Sequence, residues 1–190
     1  AGRSVEVSAY TMLLGTAVTG LGPTMSDSNT FFHASRGNIG STGAISAATL
    51  SSMRQKMQQQ KDPSGNDYLD LRPATLLVPP GIEDAAKILN GDQFDPAQVG
   101  QKTNPVRGLF GKVVSSPRLL ANATNGTTRH YAFADPGSYP AFVASFLRGQ
   151  EAPELRMEQS FETDGVRWRI VFDFRVQAFD SRSAVTCVGA

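Results

Sequence analysis

The spacing of apolar positions changes several times along this chain, and each change predicts a different element. "VEVSAYTMLLGTAV", residues 5–18, reads as the end of a helix stopped by Gly20 and Pro23. Residues 20–45 then lose all periodicity and fill with Gly, Ser, Thr and Asn, which predicts a long irregular connection of the kind that is functional, interfacial or mobile. Behind Ser46, a good N-cap, Leu50, Met53 and Met57 fall on one helical stripe, so a helix is expected to about Gln60. "KDPSG", residues 61–65, turns the chain, and Thr75–Val78 reads as a short buried strand ended by Pro79 and Pro80. A helix should follow, with Glu83 and Asp84 in its first turn, Lys87 further on and Gly91 as its C-cap. A second polar loop spans residues 91–108, and after it "LFGKVVSSPRLL", "TRHYAFAD" and "YPAFVASFLRG" are strand-like.

The strongest local pattern is the tail, "ELRMEQSFETDGVRWRIVFDFRVQAFD". Asp164-Gly165 between two alternating runs predicts a long C-terminal β-hairpin with a two-residue turn. That register would set Phe161 against Trp168, Met157 against Phe172 and Leu155 against Phe174 on one face. On the other it would set Glu162 against Arg167, Arg156 against Asp173 and Glu154 against Arg175. A slip of one residue would destroy both faces, so the register should be firm. The second strand could run to Ala178, about 40 Å at ~3.3 Å per residue. Such a ribbon cannot bury its apolar face alone and must lie on helices or on a neighbouring subunit.

Composition narrows the function classes. The chain has 190 residues and is 40% hydrophobic, enough for a real core. Eighteen Lys and Arg against 17 Asp and Glu leave a net charge of +1, without the overall basic excess of a dedicated nucleic-acid binder. The lone Cys187 excludes a disulfide framework within the chain and any Cys-rich metal site, and a reducing, intracellular origin fits it best. "YTMLLGTAV" is far too short to span a bilayer, and the single Arg3 ahead of it makes a signal peptide unexpected. The sequons at Asn122 and Asn125 read as turn residues.

Candidate chemistry is sparse. "FFHASRGNIG", residues 31–40, brings a His, a Ser, an Arg and two Gly together, but "GNIGSTG" is neither a dinucleotide fingerprint nor a P-loop. His33 could serve as a general base; His130, the other histidine, lies in a strand-like run where a half-exposed structural role is the default. Ser35 and Ser41 do not sit in a nucleophile elbow. Cys187 could act only if a His approached it, and Asp92 and Asp95 lack the spacing of a calcium loop. A small hydrolase using His33 or His130 with a Ser or a Glu is one alternative, and a nucleic-acid module using Arg167, Arg169 and Arg175 is another. The plainer expectation is a non-enzyme with no catalytic residue, cofactor or metal.

Three blocks, in order, carry a family resemblance: "FFHASRGNIG", "KDPSGNDYLDLRPATLLVPPGIEDAAKIL" and "YAFADPGSYPAFVASFLRGQEAPELRMEQSFETDGVRWRIVFDF". Over about residues 24–180 the chain resembles tailed-bacteriophage major capsid proteins, in the group encoded with or fused to a prohead protease. The resemblance implies an α+β chain of the Hong Kong 97-type capsid fold. Residues 1–19 would end the spine helix, 20–45 would form a loop, 46–135 most of the axial domain, and 136–190 peripheral and axial strands. A ribbon over 154–179 would link the peripheral and axial parts. The N-terminal arm and extended loop find no counterpart, so the chain is expected to be a capsid protein without its front portion, and no cross-link residue carries over. The implied function is a structural shell subunit in the virion, assembled in the bacterial host cytoplasm into five- and six-membered rings of identical copies. Packaged double-stranded DNA would lie at the inner face without sequence specificity, and no membrane would be involved. His33 and its glycines would then turn the chain and pack a subunit.

Overall fold

The computed structural model describes residues 2–95, 97–98, 102–147, 151–160 and 165–189. Its elements are α1 (Gly2–Leu14), α2 (Ala47–Gln58), β1 (Pro73–Val78), α3 (Glu83–Gly91), β2 (Lys112–Ser115), β3 (His130–Ala134), β4 (Phe142–Phe146), β5 (Glu154–Ser160), β6 (Gly165–Val171), β7 (Phe174–Ala178) and β8 (Ala184–Cys187). The chain is therefore mixed α+β.

A four-stranded sheet in the order β2-β1-β3-β8 forms the centre. β1 and β2 run parallel, with α3 as the crossover, and β3 is antiparallel to both β1 and β8. Because side chains alternate along a strand, the sheet has two apolar faces. Leu76, Val78, Ala132, Ala134, Val185 and Cys187 meet α2 and α3, where Leu50, Met53, Met57, Ala86 and Leu89 close a first core. Leu77, Tyr131 and Ala184 point the other way and pack with Leu13 of α1 and with Phe31 and Phe32. The stripe expected for α2 is thus its buried face: Leu50, Met53 and Met57 are all fully buried. Ser46 caps this helix, accepting from the Thr49 amide at 3.2 Å while the Thr49 hydroxyl accepts from the Ser46 amide at 2.8 Å.

Several helix and strand assignments differ from expectation. The run "LFGKVVSSPRLL" is strand only over Lys112–Ser115, because Pro117 stops it and Pro117–Ala121 forms a 3-10 turn capped by Ser116. α1 ends at Leu14, because Gly15 adopts φ +74 in close contact with Gly22 and breaks the helix five residues before Gly20. Gly91 is the last residue of α3, and the cap position belongs to Asp92, whose amide donates to the Ile88 carbonyl. β8, within the sequence "SRSAVTCVGA", was not anticipated, yet all four of its residues are buried.

The tail departs most. β5 and β6 pair antiparallel, but every partner lies four positions earlier than the expected register: Met157 faces Trp168, not Phe172, and Leu155 faces Ile170, not Phe174. An even shift keeps each side chain on its expected face. The apolar set stays together, while Arg156 now faces Arg169 and Glu158 faces Arg167. Phe161, Glu162 and Asp164 of the expected turn and pairs lie outside the described residues. The cause is visible at the other end of β6. Phe172 and Phe174 meet in a tilted arrangement with ring centres 5.1 Å apart, and Phe172 reaches Phe146 at 6.0 Å. This aromatic cluster draws the chain away from the ribbon, and β7 pairs with β4 instead, setting Arg175 opposite Ser145. The long second strand is therefore two strands, β6 and β7, in two different sheets. The β4–β7 pair lies against α1, with Val176 buried.

Candidate assembly surface

The polar stretch 31–43 ties a loop to the open edge of the sheet. Phe31 and Phe32 anchor it in the second core, edge to face at 5.0 Å. His33 caps a single short 3-10 turn, Ala34–Arg36: its Nδ1 accepts from the Ser35 amide at 3.3 Å and lies 2.7 Å from the Ser35 hydroxyl. A ring nitrogen that accepts the amide also accepts the hydroxyl proton, so His33 orients Ser35 as part of a cap. Asn38 is fully buried and spends its whole amide on the backbone. It accepts from the His33 amide at 2.9 Å and donates to the carbonyls of Phe31 at 2.8 Å and Ser181 at 3.1 Å. Ile39 then bridges Thr186 in parallel, and the Gly40 amide donates to the Thr186 carbonyl at 2.7 Å. At Gly40 a Cβ would lie 2.5 Å from Cys187 Sγ, which is why glycine stands there. Arg36 completes the tie through Asp27 at 2.6 Å, the Thr30 carbonyl and Ser181.

His130 is fully buried, not half-exposed, and the register sets it opposite Cys187. This is the one His–Cys juxtaposition among the described residues, and its electrostatics run against nucleophilic chemistry. Burial pushes the Cys187 thiol up to about 12 and lowers the His130 pKa, the His130 shift being partly offset by a bond to the Thr128 carbonyl. A reactive pair needs a thiolate and an open path to it, and burial of both groups disfavours each. The Arg129 guanidinium beside them is buried as well. Among the described residues, Thr128 Oγ1, Arg129 Nε and His130 Nε2 make no hydrogen bond.

The remaining candidates are structural in their surroundings. Asn122 accepts from the Thr124 amide at 3.0 Å, and Asn125 takes a left-handed φ of +57, so both sequons sit in turns. Asp95 is buried and accepts from the Ala97 amide, whereas Asp92 is exposed; among the described residues no cluster of three His, Cys, Asp or Glu side chains could hold a metal. Likewise, no described helix is long and apolar enough to cross a membrane. Arg167 and Arg169 share a strand, but Arg175 belongs to a different sheet, so the three form no single track. Cations do gather in a cavity of about 470 Å³ lined by Arg36, Lys56, Lys61 and Arg182. Two of these are held by carboxylates, Arg36 by Asp27 and Arg182 by Asp180 at 3.4 Å.

What most distinguishes the surface is the β5–β6 ribbon. Among the described residues it joins no other strand, and its apolar face lies open: Leu155 is 57% exposed, Met157 66%, Trp168 62% and Ile170 71%, with Val166 beside them. Its other face carries Glu154, Arg156, Glu158, Arg167 and Arg169, with Arg156 donating to the Glu154 carboxylate from Nε at 3.0 Å and from Nη2 at 2.9 Å. A contiguous exposed apolar patch of this kind marks a place where another surface binds.

A buried core, a loop stitched to its edge and a ribbon with one bare apolar face together suit a surface-presenting role. The sequence profile described as phage capsid protein matches residues 1–187, and the chain belongs to that family. It is a bacteriophage structural protein of the capsid, and its place is the virion. A comparison of the sequence with curated proteins found no match.

Proposed function

We propose that the chain is a shell-forming subunit of a phage or prophage capsid, with the Hong Kong 97-type fold of the group linked to prohead proteases. In this reading α1 is the end of the spine helix, residues 46–135 supply most of the axial domain, and residues 136–190 supply peripheral and axial strands. Copies assemble in the bacterial cytoplasm into pentamers and hexamers that enclose double-stranded DNA. The bare apolar face of the β5–β6 ribbon, on a chain of the capsid family, carries the proposal. Head-to-tail contacts between identical chains close into rings when the rotation is right, and an exposed apolar ribbon face offers one side of such a contact. The cations around Arg36, Lys56, Lys61 and Arg182 support sequence-independent contact with phosphates. Mass photometry and negative-stain electron microscopy of the full chain, expressed in bacteria, test the proposal. Rings and closed shells are expected, and a strict monomer at every concentration contradicts it. DNA retention that falls steeply with salt is expected for the inner face, and salt-independent retention contradicts that part.

A further inference from the structure

We propose that the ribbon's apolar face docks into a specific trough on the next copy of the chain, between α1 and the outer face of β1, β3 and β4. The inference rests on the shell reading and names the two surfaces that meet. The trough consists of two adjoining cavities that share Phe133 and Phe142. The first, about 230 Å³, is lined by Ala9, Tyr10, Leu13 and Leu77 as well, and the second, about 260 Å³, runs on past Ala134 and Pro136. Together they exist because α1, Phe31 and Phe32 cover only part of this sheet face, leaving Phe133 and Phe142 half-buried at its open end.

Three observations commit the occupant to a second copy. Both surfaces are apolar, and the ribbon's is large for a monomer left uncovered. The ribbon offers five large side chains on one face; at roughly 100–150 Å² of exposed surface for most of them, that is on the order of 500–600 Å², a substantial share of the ~800 Å² per partner of a standard interface. The shapes also match in kind: a projecting ridge with an indole and a flexible Met–Ile–Leu set against an aromatic-walled trough. Finally, ridge and trough lie on different elements of one chain, so the contact is heterologous and propagates from copy to copy, as a ring requires.

Trp168 is the only tryptophan in the chain, so its fluorescence reports on this ridge alone. Emission characteristic of water at low concentration should shift to the blue, and acrylamide quenching should fall several-fold, as assemblies form. Ala9→Arg, at a half-buried position of α1 that lines the trough, should abolish the shift and the rings together while circular dichroism stays unchanged. Chains carrying Ala9→Cys, mixed with chains carrying Ile170→Cys, should form inter-chain disulfides under mild oxidation, and neither variant alone should. Rings or shells in which Trp168 stays water-exposed would overturn the docking while leaving the shell reading intact. So would disulfides between two Ile170→Cys chains, which mean ribbon pairing with ribbon, or a blue-shifted Trp168 in a monomer, which means docking within one chain. A chain that never assembles removes the shell reading and this docking with it.

Discussion

The central sheet and the β5–β6 ribbon use the same kinds of residue to opposite ends. Leu76, Tyr131 and Val185 are fully buried between two layers, whereas Leu155, Trp168 and Ile170 stand in solvent. Alternation along a strand is equally regular in both; the difference lies in what covers the apolar face. The sheet is covered from within the chain, by α2 and α3 on one side and by α1 and Phe31–Phe32 on the other. Among the described residues the ribbon is a two-stranded sheet whose apolar side chains are exposed, an arrangement of marginal stability in water. The sheet therefore holds the subunit together, and the ribbon is available to hold subunits to one another.

Substitutions sharpen that contrast, beginning with the core. Leu76→Ala should destabilise the monomer by about 2–5 kcal/mol in urea melts, because a close-packed cavity lining relaxes only in part. Ile170→Ala on the ribbon should change monomer stability by less than about 0.5 kcal/mol while weakening assembly, and equal losses at the two sites would break the comparison. Gly40→Ala should cost roughly 1–3 kcal/mol, since the new methyl meets Cys187 Sγ. Adding Cys187→Ala should return part of that loss, and a strictly additive double variant would show that the clash is not the cause. Asn38→Ala should cost about 1–3 kcal/mol by orphaning buried backbone groups, read from the same melts.

A smaller effect is electrostatic. Desolvation lowers the His130 pKa in the folded state, with the nearby Arg129 charge acting in the same direction. Below the ordinary histidine value of about 6.5, the unfolded chain binds a proton that the folded chain refuses. The neutral ring's contribution is thus fully present above that pH and is lost as the pH falls towards the folded value. His130→Gln should show a shallower loss of melting temperature between pH 7 and pH 5 than the parent chain, and parallel curves would contradict the assignment. Cys187, pushed up to about 12 and buried, should resist alkylation at pH 8 until the chain unfolds.

Much of this arrangement was readable from residue spacing. The stripe Leu50–Met53–Met57, the Ser46 cap and the strand stopped after Val78 by Pro79 are local signals, and local physics decides them. The apolar and charged faces of β5 and β6 were readable for the same reason. Their register was not, because a distant event set it: Phe172 and Phe174 found Phe146 on β4 and left the ribbon. β8 and the burial of His130 escaped for a similar cause. Four residues near the end of a chain carry too short a pattern to announce a strand, and only the completed sheet shows that His130 has Cys187 across from it. The trough beside α1 has no sequence signature at all, since Ala9, Leu77, Phe133 and Phe142 meet only in the folded chain.

The account turns on where protection against solvent comes from, and hydrogen exchange of free and assembled chains measures that directly. The amides of β1, β3 and β8 should be equally protected in both states, and those of β5 and β6 should be protected only in the assembled one. A ribbon as protected in the free chain as in the assembly, or one that exchanges freely in both, would contradict it.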